Sequence, residues 1–288
     1  MTIEQIGANK SFGGSQLRYK HLSRVLNCEM VFSVYLPPQV EGGVRVPVLF
    51  WLSGLTCTDE NFVTKAGAQQ FAARYGVAIV APDTSPRGVG VPDDPDGAYD
   101  FGLGAGFYVN ATEQPWATYY RMYDYIVDEL PGLVASEFPV DIARSGIFGH
   151  SMGGHGALTI ALKNPDKYQS VSAFSPIVSP SNCPWGEKAF SHYLGNDRES
   201  WQQYDSCELV RSATQHLPIL IDQGDADDFL QEQLKTELLL KTGMEADYPM
   251  NIRMQAGYDH SYFFIATFIE DHIRFHAQHL SAVINRPA

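Results

Sequence analysis

Residues 145–163 read SGIFGHSMGGHGALTIALK, and the fold turns on how this stretch is parsed. Ser145–Phe148 is a short apolar run of the kind a strand shows when both of its faces are covered. Gly149-His150-Ser151-Met152-Gly153 is a G-x-S-x-G pentapeptide, and Gly153–Leu162 reads as a helix built from small and aliphatic residues. The pentapeptide alone is a weak signal; a buried strand before it and a helix after it give it meaning. In that setting the serine occupies a tight, strained turn that lifts Oγ above the sheet edge. Bulkier residues at 149 or 153 would strike the adjacent strand and helix. The helix start also presents backbone N–H groups and a positive dipole end to any oxyanion formed beside the serine. A glycine-rich turn with an incidental serine is the competing reading, and the flanking elements count against it.

Outward from this point the same signature recurs. Glu29–Leu36 alternates apolar and polar residues and stops at Pro37-Pro38, which suits a half-buried antiparallel strand. Pro47–Leu52, Val77–Ala81, Ser170–Phe174 and Ile219–Ile221 are continuous apolar runs, and Met250–Gln255 is extended. Helical patterns cover Phe62–Tyr75, Thr118–Leu130, Leu230–Leu240 and Phe263–Leu280. Buried strands alternating with helices predict an α/β architecture, a mostly parallel central sheet with helices on both faces, and the serine turn makes it an α/β-hydrolase fold. One domain over residues 1–288 is expected, with loop insertions near 84–116 and 176–216, where periodicity fails and aromatics collect.

A serine nucleophile needs a general base and an acid, and in this architecture they follow in the order Ser, Asp or Glu, His. His260 lies in Gly-Tyr-Asp-His-Ser, on a loop between an extended segment and the last helix, where a base belongs. His272, His276 and His279, spaced i, i+4 and i+7, read as the solvated polar stripe of that helix; the first two could hold a metal only with a third ligand that the sequence does not suggest. For the acid, Ile219–Ile221 leads into Asp-Gln-Gly-Asp-Ala-Asp-Asp. Asp222 ends the strand and suits a brace, Asp225 suits a turn, and Asp227 comes first among the alternatives, ahead of Asp225 and Asp228. Asp259, next to the base, points the wrong way on an extended loop. One oxyanion donor is expected at Met152 N–H and the second at Leu55 N–H, after strand PVLFWL, with Gly54 allowing close approach. Cys57, two residues on, lines the pocket or packs as a small apolar residue.

Composition narrows the classes of function. The formal charge of 20 − 33 = −13 has no basic cluster, which argues against nucleic acid or an anionic membrane as partner. No apolar run approaches a membrane-spanning length, and MTIEQIGANK has no secretory core, so a cytoplasmic protein is expected. Cys28, Cys57, Cys183 and Cys207 lie far apart without C-x-x-C spacing, which suits reduced thiols rather than a disulfide frame or a zinc site.

Together LSGLTCT (52–58), GAGFYVNAT (104–112) with Pro115-Trp116, GHSMGGHGAL (149–158), CPWGEKAF (183–190), IDQGDADDFL (221–230) and GYDHSYFFIATFIEDH (257–272) closely resemble the S-formylglutathione hydrolase (esterase D) family, in the family's order and over most of the chain. The resemblance implies Ser151, Asp227 and His260 as triad, Leu55 and Met152 at the oxyanion hole, and a site-adjacent Cys57 that confers sensitivity to thiol reagents. It strengthens Asp227 over Asp225. It implies hydrolysis of S-formylglutathione to formate and glutathione, hence formaldehyde detoxification, with side activity on short-chain esters and with no metal or organic cofactor. Cys57, Trp185 and His150 are expected in the substrate pocket, and Arg87 or Lys188 is expected to meet a glutathione carboxylate. A homodimer is a reasonable expectation from the aromatic-rich segments. A general short-chain carboxylesterase or acyltransferase would use the same residues, and a non-catalytic binding protein of this fold would lack one of them.

Overall fold

The computed structural model describes residues 2–282. Its strands are β1 (Ile3–Ser11), β2 (Gly14–Leu22), β3 (Glu29–Leu36), β4 (Val46–Leu52), β5 (Ala78–Pro82), β6 (Val140–His150), β7 (Val171–Phe174), β8 (Ile219–Gly224) and β9 (Asn251–Gln255). They form one sheet in the order β1-β2-β3-β5-β4-β6-β7-β8-β9. The pairs from β5 through β9 are parallel, and β1, β2 and β3 join antiparallel at one side. The order reverses around β4, so the C-terminal ends of β4 and β6 open onto one crevice, the usual ligand position in such sheets.

The central strands are apolar throughout because each serves two cores. In β4, Val48, Phe50 and Leu52 face one core while Leu49 and Trp51 face the other, the period-2 alternation of a strand buried on both sides. On the second face lie α1 (Glu60–Lys65) and α2 (Gln69–Tyr75), with α10 (Tyr262–Ala282) packed beside α2. Over the first face run α3 (Met122–Asp124) and α4 (Leu130–Glu137) joined through one π turn, then α5 (Met152–Lys163). There too are α6 (Pro184–Tyr193), α7 (Arg198–Trp201), α8 (Ser206–Ser212) and α9 (Thr236–Glu245).

Four expectations change. Residues 62–75 are not one helix but α1 and α2, separated by a turn at residues 66–68. The expected helix 118–130 begins at Met122 and runs on to Glu137. The expected helix 230–240 is a π turn and α9, separated by Lys235 at φ 54°. Segment 176–216 is largely helical, whereas 84–116 is loop. Among the described residues, no helix is long and apolar enough to cross a membrane.

The largest correction concerns α10. His272 and His276 do not face water: both are fully buried. His272 Nδ1 bonds Ser172 Oγ (2.8 Å), and its Nε2 bonds Asp222 Oδ2 (3.0 Å). His276 is held between Ser170 Oγ (2.7 Å) and Ser172 Oγ (2.9 Å). A polar pair at i, i+4 lies on the helix face that seats against β7 and β8, where strand serines and Asp222 satisfy it.

Candidate active site

Four loops at the C-terminal ends of parallel strands meet at one point. Ser151 follows β6 directly, at φ 57° and ψ −118°, a conformation that costs a non-glycine residue energy and persists only where its surroundings fix it. They do: Ser151 N–H donates to Phe174 O (3.0 Å), and Ser151 O accepts from His155 N (3.0 Å) and Ile177 N (3.3 Å). A Cβ on Gly149 would strike the Gly153 carbonyl, and one on Gly153 would strike the Leu52 carbonyl. The turn can therefore cross the end of β4 only with glycine at both places. Met152 is the first residue of α5, so helix geometry gives its N–H no intrahelical acceptor.

The loop after β4 packs against this turn. A Cβ on Gly54 would lie 3.1 Å from Ser151 Cβ. Thr56 N–H donates to Gly104 O (2.9 Å), Thr84 Oγ1 donates to Cys57 O (2.5 Å), and Arg87 Nη2 donates to the same carbonyl (3.3 Å). Leu55 is thus carried on a loop clamped from residues 84–104.

His260 Nδ1 donates to Asp227 Oδ2 at 2.6 Å. Asp227 Oδ1 also accepts Phe229 N–H (2.9 Å), and its side chain is fully buried. Burial alone would raise this carboxyl's pKa; the hydrogen bond and charge of His260, with the Phe229 amide, outweigh it and hold Asp227 below the ordinary value. The bond takes Nδ1 and leaves Nε2 of His260 for a second partner. Ser151 and His260 line the same cavity, of about 280 Å³. Among the described residues no hydrogen bond joins Ser151 Oγ to His260; such bonds are often long without substrate.

The other acids have other work. Asp222 braces β8 to β9 and α10 through Arg253 Nε (2.7 Å) and His272. Asp225 accepts Gly257 N–H (2.6 Å), Asp228 is exposed, and Asp259 caps Ser261 N–H (3.0 Å).

Cys57, His150 and Trp185 all line the cavity. The His150 ring lies 4.3 Å from that of His260, and burial, with His260 adding to it, keeps His150 well below the ordinary histidine pKa and therefore neutral. Burial raises the Cys57 thiol. Arg87 and Lys188 are not on the wall. Arg87 Nε is taken by Asp83 (2.9 Å) and Lys188 Nζ by Asp100 (2.6 Å). Tyr99, an aromatic of the 84–116 loop, lines the cavity as well, and so do Phe229 and Tyr262, which sequence reading passed over. Tyr99 OH accepts Trp185 Nε1–H (3.1 Å), and Phe229 stands edge-on to His260 (5.1 Å). The signal available was proximity in sequence, since Phe229 and Tyr262 each follow Asp227 and His260 by two residues.

A serine on a strained turn, a histidine bonded to a buried carboxylate, and backbone amides converging on one cavity are equipped for acyl transfer. Comparison with known proteins agrees. The Esterase family model matches residues 23–275. The chain is 55% identical over 284 residues to the S-formylglutathione hydrolase of Rattus norvegicus, covering 98% of this chain and 100% of the rat protein. Its structure is similar to that of an S-formylglutathione hydrolase from Agrobacterium tumefaciens, with TM-score 0.94 and 47% identity over 96% of this chain and 99% of the other. A fluorophosphonate-binding serine hydrolase of Staphylococcus aureus, at TM-score 0.75 and 19% identity over 92% and 98% of the two chains, shares the fold. On this evidence the chain belongs to the Esterase family and, within it, to the S-formylglutathione hydrolases.

Proposed function

We propose that this chain hydrolyses S-formylglutathione to formate and glutathione, with Ser151 as nucleophile, His260 as general base and acid, and Asp227 as the group that orients His260. The similarity to S-formylglutathione hydrolases across nearly the whole chain carries the substrate. The 2.6 Å bond from His260 Nδ1 to Asp227 supports the roles, because it fixes the tautomer in which Nε2 is a proton acceptor.

Nε2 of His260 takes the Ser151 hydroxyl proton as Oγ bonds to the formyl carbon. The carbonyl oxygen becomes an oxyanion that Leu55 and Met152 N–H groups stabilise; one such donor is worth about 3 kcal/mol. The C–S bond then breaks, and His260 returns the proton to the glutathione sulfur. Water, deprotonated by His260, attacks the formyl ester; Ser151 leaves with that proton, and formic acid departs and ionises to formate. Two carbonyl additions replace one difficult hydrolysis.

Formyl has no side chain, and a cavity walled by Tyr99, Trp185 and Phe229 suits a small acyl group. Short-chain esters should turn over as side substrates, with rates falling as the acyl chain lengthens. The deciding experiment is steady-state hydrolysis of S-formylglutathione against p-nitrophenyl acetate, with Ser151→Ala as the blank. A strong preference for the thioester, lost in the variant, supports the proposal. Equal or better acetate turnover leaves a serine esterase and removes the formylglutathione assignment.

A further inference from the structure

Glutathione carries two carboxylates, and an anion entering a chain of net charge −13 needs a local cation at the pocket. Most cations near the site are already spent. Arg87 is bonded to Asp83, Lys188 to Asp100, and Arg18 to Asp59 and Glu60. Lys65 differs. It is exposed, and among the described residues no carboxylate lies within ion-pair distance of it.

Its position is fixed by the elements that build the site. The loop after β4 runs straight into α1, and Phe62 anchors α1 by stacking on Trp51 with ring centroids 3.9 Å apart. Lys65 lies three residues on, at the end of that short helix, with Nζ 5.5 Å from the centre of the Tyr262 ring. Tyr262 is a wall of the cavity and stands two residues after His260. The positive field of Lys65 also reaches the Cys57 thiol on the same wall, where it opposes the effect of burial.

We infer that Lys65 is the cation that receives a carboxylate of the glutathione moiety, with the peptide lying across the Tyr262 edge of the cavity. The inference rests on the function proposed above. The glycyl carboxylate of glutathione lies on the order of 7 Å from the thioester sulfur when extended, which carries it well away from the reacting carbon toward the cavity wall. An ion pair at an exposed lysine is modest in water, so Lys65 governs substrate preference and not the chemical step.

The test uses Lys65→Met, Lys65→Arg and Lys65→Glu in the full chain. In Lys65→Met, kcat/KM for S-formylglutathione should fall about fivefold relative to kcat/KM for neutral p-nitrophenyl acetate. The change should sit in KM. Lys65→Glu should lose more, Lys65→Arg should keep the ratio, and added salt should weaken wild-type KM while leaving Lys65→Met nearly insensitive. S-methylglutathione, as a competitive inhibitor of p-nitrophenyl acetate hydrolysis, reads the same contact without turnover; its Ki should rise about fivefold in Lys65→Met. Ratios and Ki within twofold of wild type in both Lys65→Met and Lys65→Glu overturn the assignment. A wild-type enzyme that fails to turn over S-formylglutathione overturns the proposed function instead, and the inhibition constants then decide Lys65 alone.

Discussion

Gly54 stands so close to Ser151 that a Cβ on it would lie 3.1 Å from the serine's own Cβ and 3.2 Å from the His150 carbonyl. The loop bearing Leu55 therefore packs directly on the turn bearing Ser151, against the serine's Cβ and the His150 carbonyl. Gly54→Ala must push the two apart by a few tenths of an ångström. Folding should survive, because Gly54 is on a loop, but the Leu55 amide would move off the oxyanion position proposed for it. We expect kcat to fall roughly tenfold to a hundredfold with KM little changed. Steady-state kinetics beside a thermal melt checks this, and a kcat within twofold of wild type would remove Leu55 from the oxyanion hole.

Asp227→Asn keeps the shape of the side chain and removes its charge. An amide can meet His260 Nδ1 with either a donor or an acceptor, so the imidazole loses the tautomer that leaves Nε2 free, and the imidazolium loses its stabilising anion. The expected outcome is a kcat loss of roughly 10⁴-fold. Because the Asp227 carboxyl sits below its ordinary pKa, it is fully ionised at pH above about 6. Any acid limb of the rate profile above that pH must come from another group. Asp225→Asn is the control: its amide oxygen can still accept Gly257 N–H, and it should cost far less. Comparable losses in the two variants would defeat the role given to Asp227.

How much of this site the sequence carries depends on where each residue sits. Ser151 and its glycines are legible because buried strand, turn and helix are all local patterns. The central strands are legible because burial on both faces leaves an unbroken apolar run. β1 is not: it is an edge strand, largely exposed, with no apolar alternation to mark it. The acid is only partly legible, since Asp222, Asp225, Asp227 and Asp228 are separated by loop conformation and not by composition. His272 and His276 mislead for a related reason. Polar residues at i, i+4 look the same facing water as facing Ser170, Ser172 and Asp222, and those partners lie some 50 to 106 positions away in the chain.

Cys57 should make the enzyme sensitive to thiol reagents in a pH-dependent way. Its thiol is raised by burial, so little thiolate exists near neutrality, and iodoacetamide should inactivate about tenfold faster for each pH unit between 7 and 9. Cys28, Cys183 and Cys207 are buried free thiols and should not compete in the native enzyme. The Cys57→Ser variant should resist, and substrate should protect wild type because Cys57 lines the cavity. Inactivation that persists in Cys57→Ser would place the reactive thiol elsewhere.

The buried network of α10 should set the acid limit of stability. His272 stacks on Phe174 with ring centroids 3.8 Å apart and is held neutral chiefly by burial, its pKa lowered despite Asp222. The unfolded chain binds a proton at this histidine near pH 6.5, so folding stability falls as pH drops from there. Asp222 works in a lower window. Burial opposes its ionisation, but His272, Arg253 and Gln255 bring it down to about 2, so its contribution, roughly 2 kcal/mol, is present above pH about 4 and lost below it. His272→Phe should cost about 2–4 kcal/mol at pH 8, because it deprives Asp222 and Ser172 of a partner. It should also flatten the dependence between pH 7 and pH 5 by one histidine's share. Urea unfolding at several pH values measures both. α10 begins two residues after His260, so wild-type activity should decline with the same acid midpoint as α10 packing. A wild-type stability that stays flat from pH 7 to pH 5 would show that His272 takes up its proton inside the folded enzyme, and the network would then not be the acid limit.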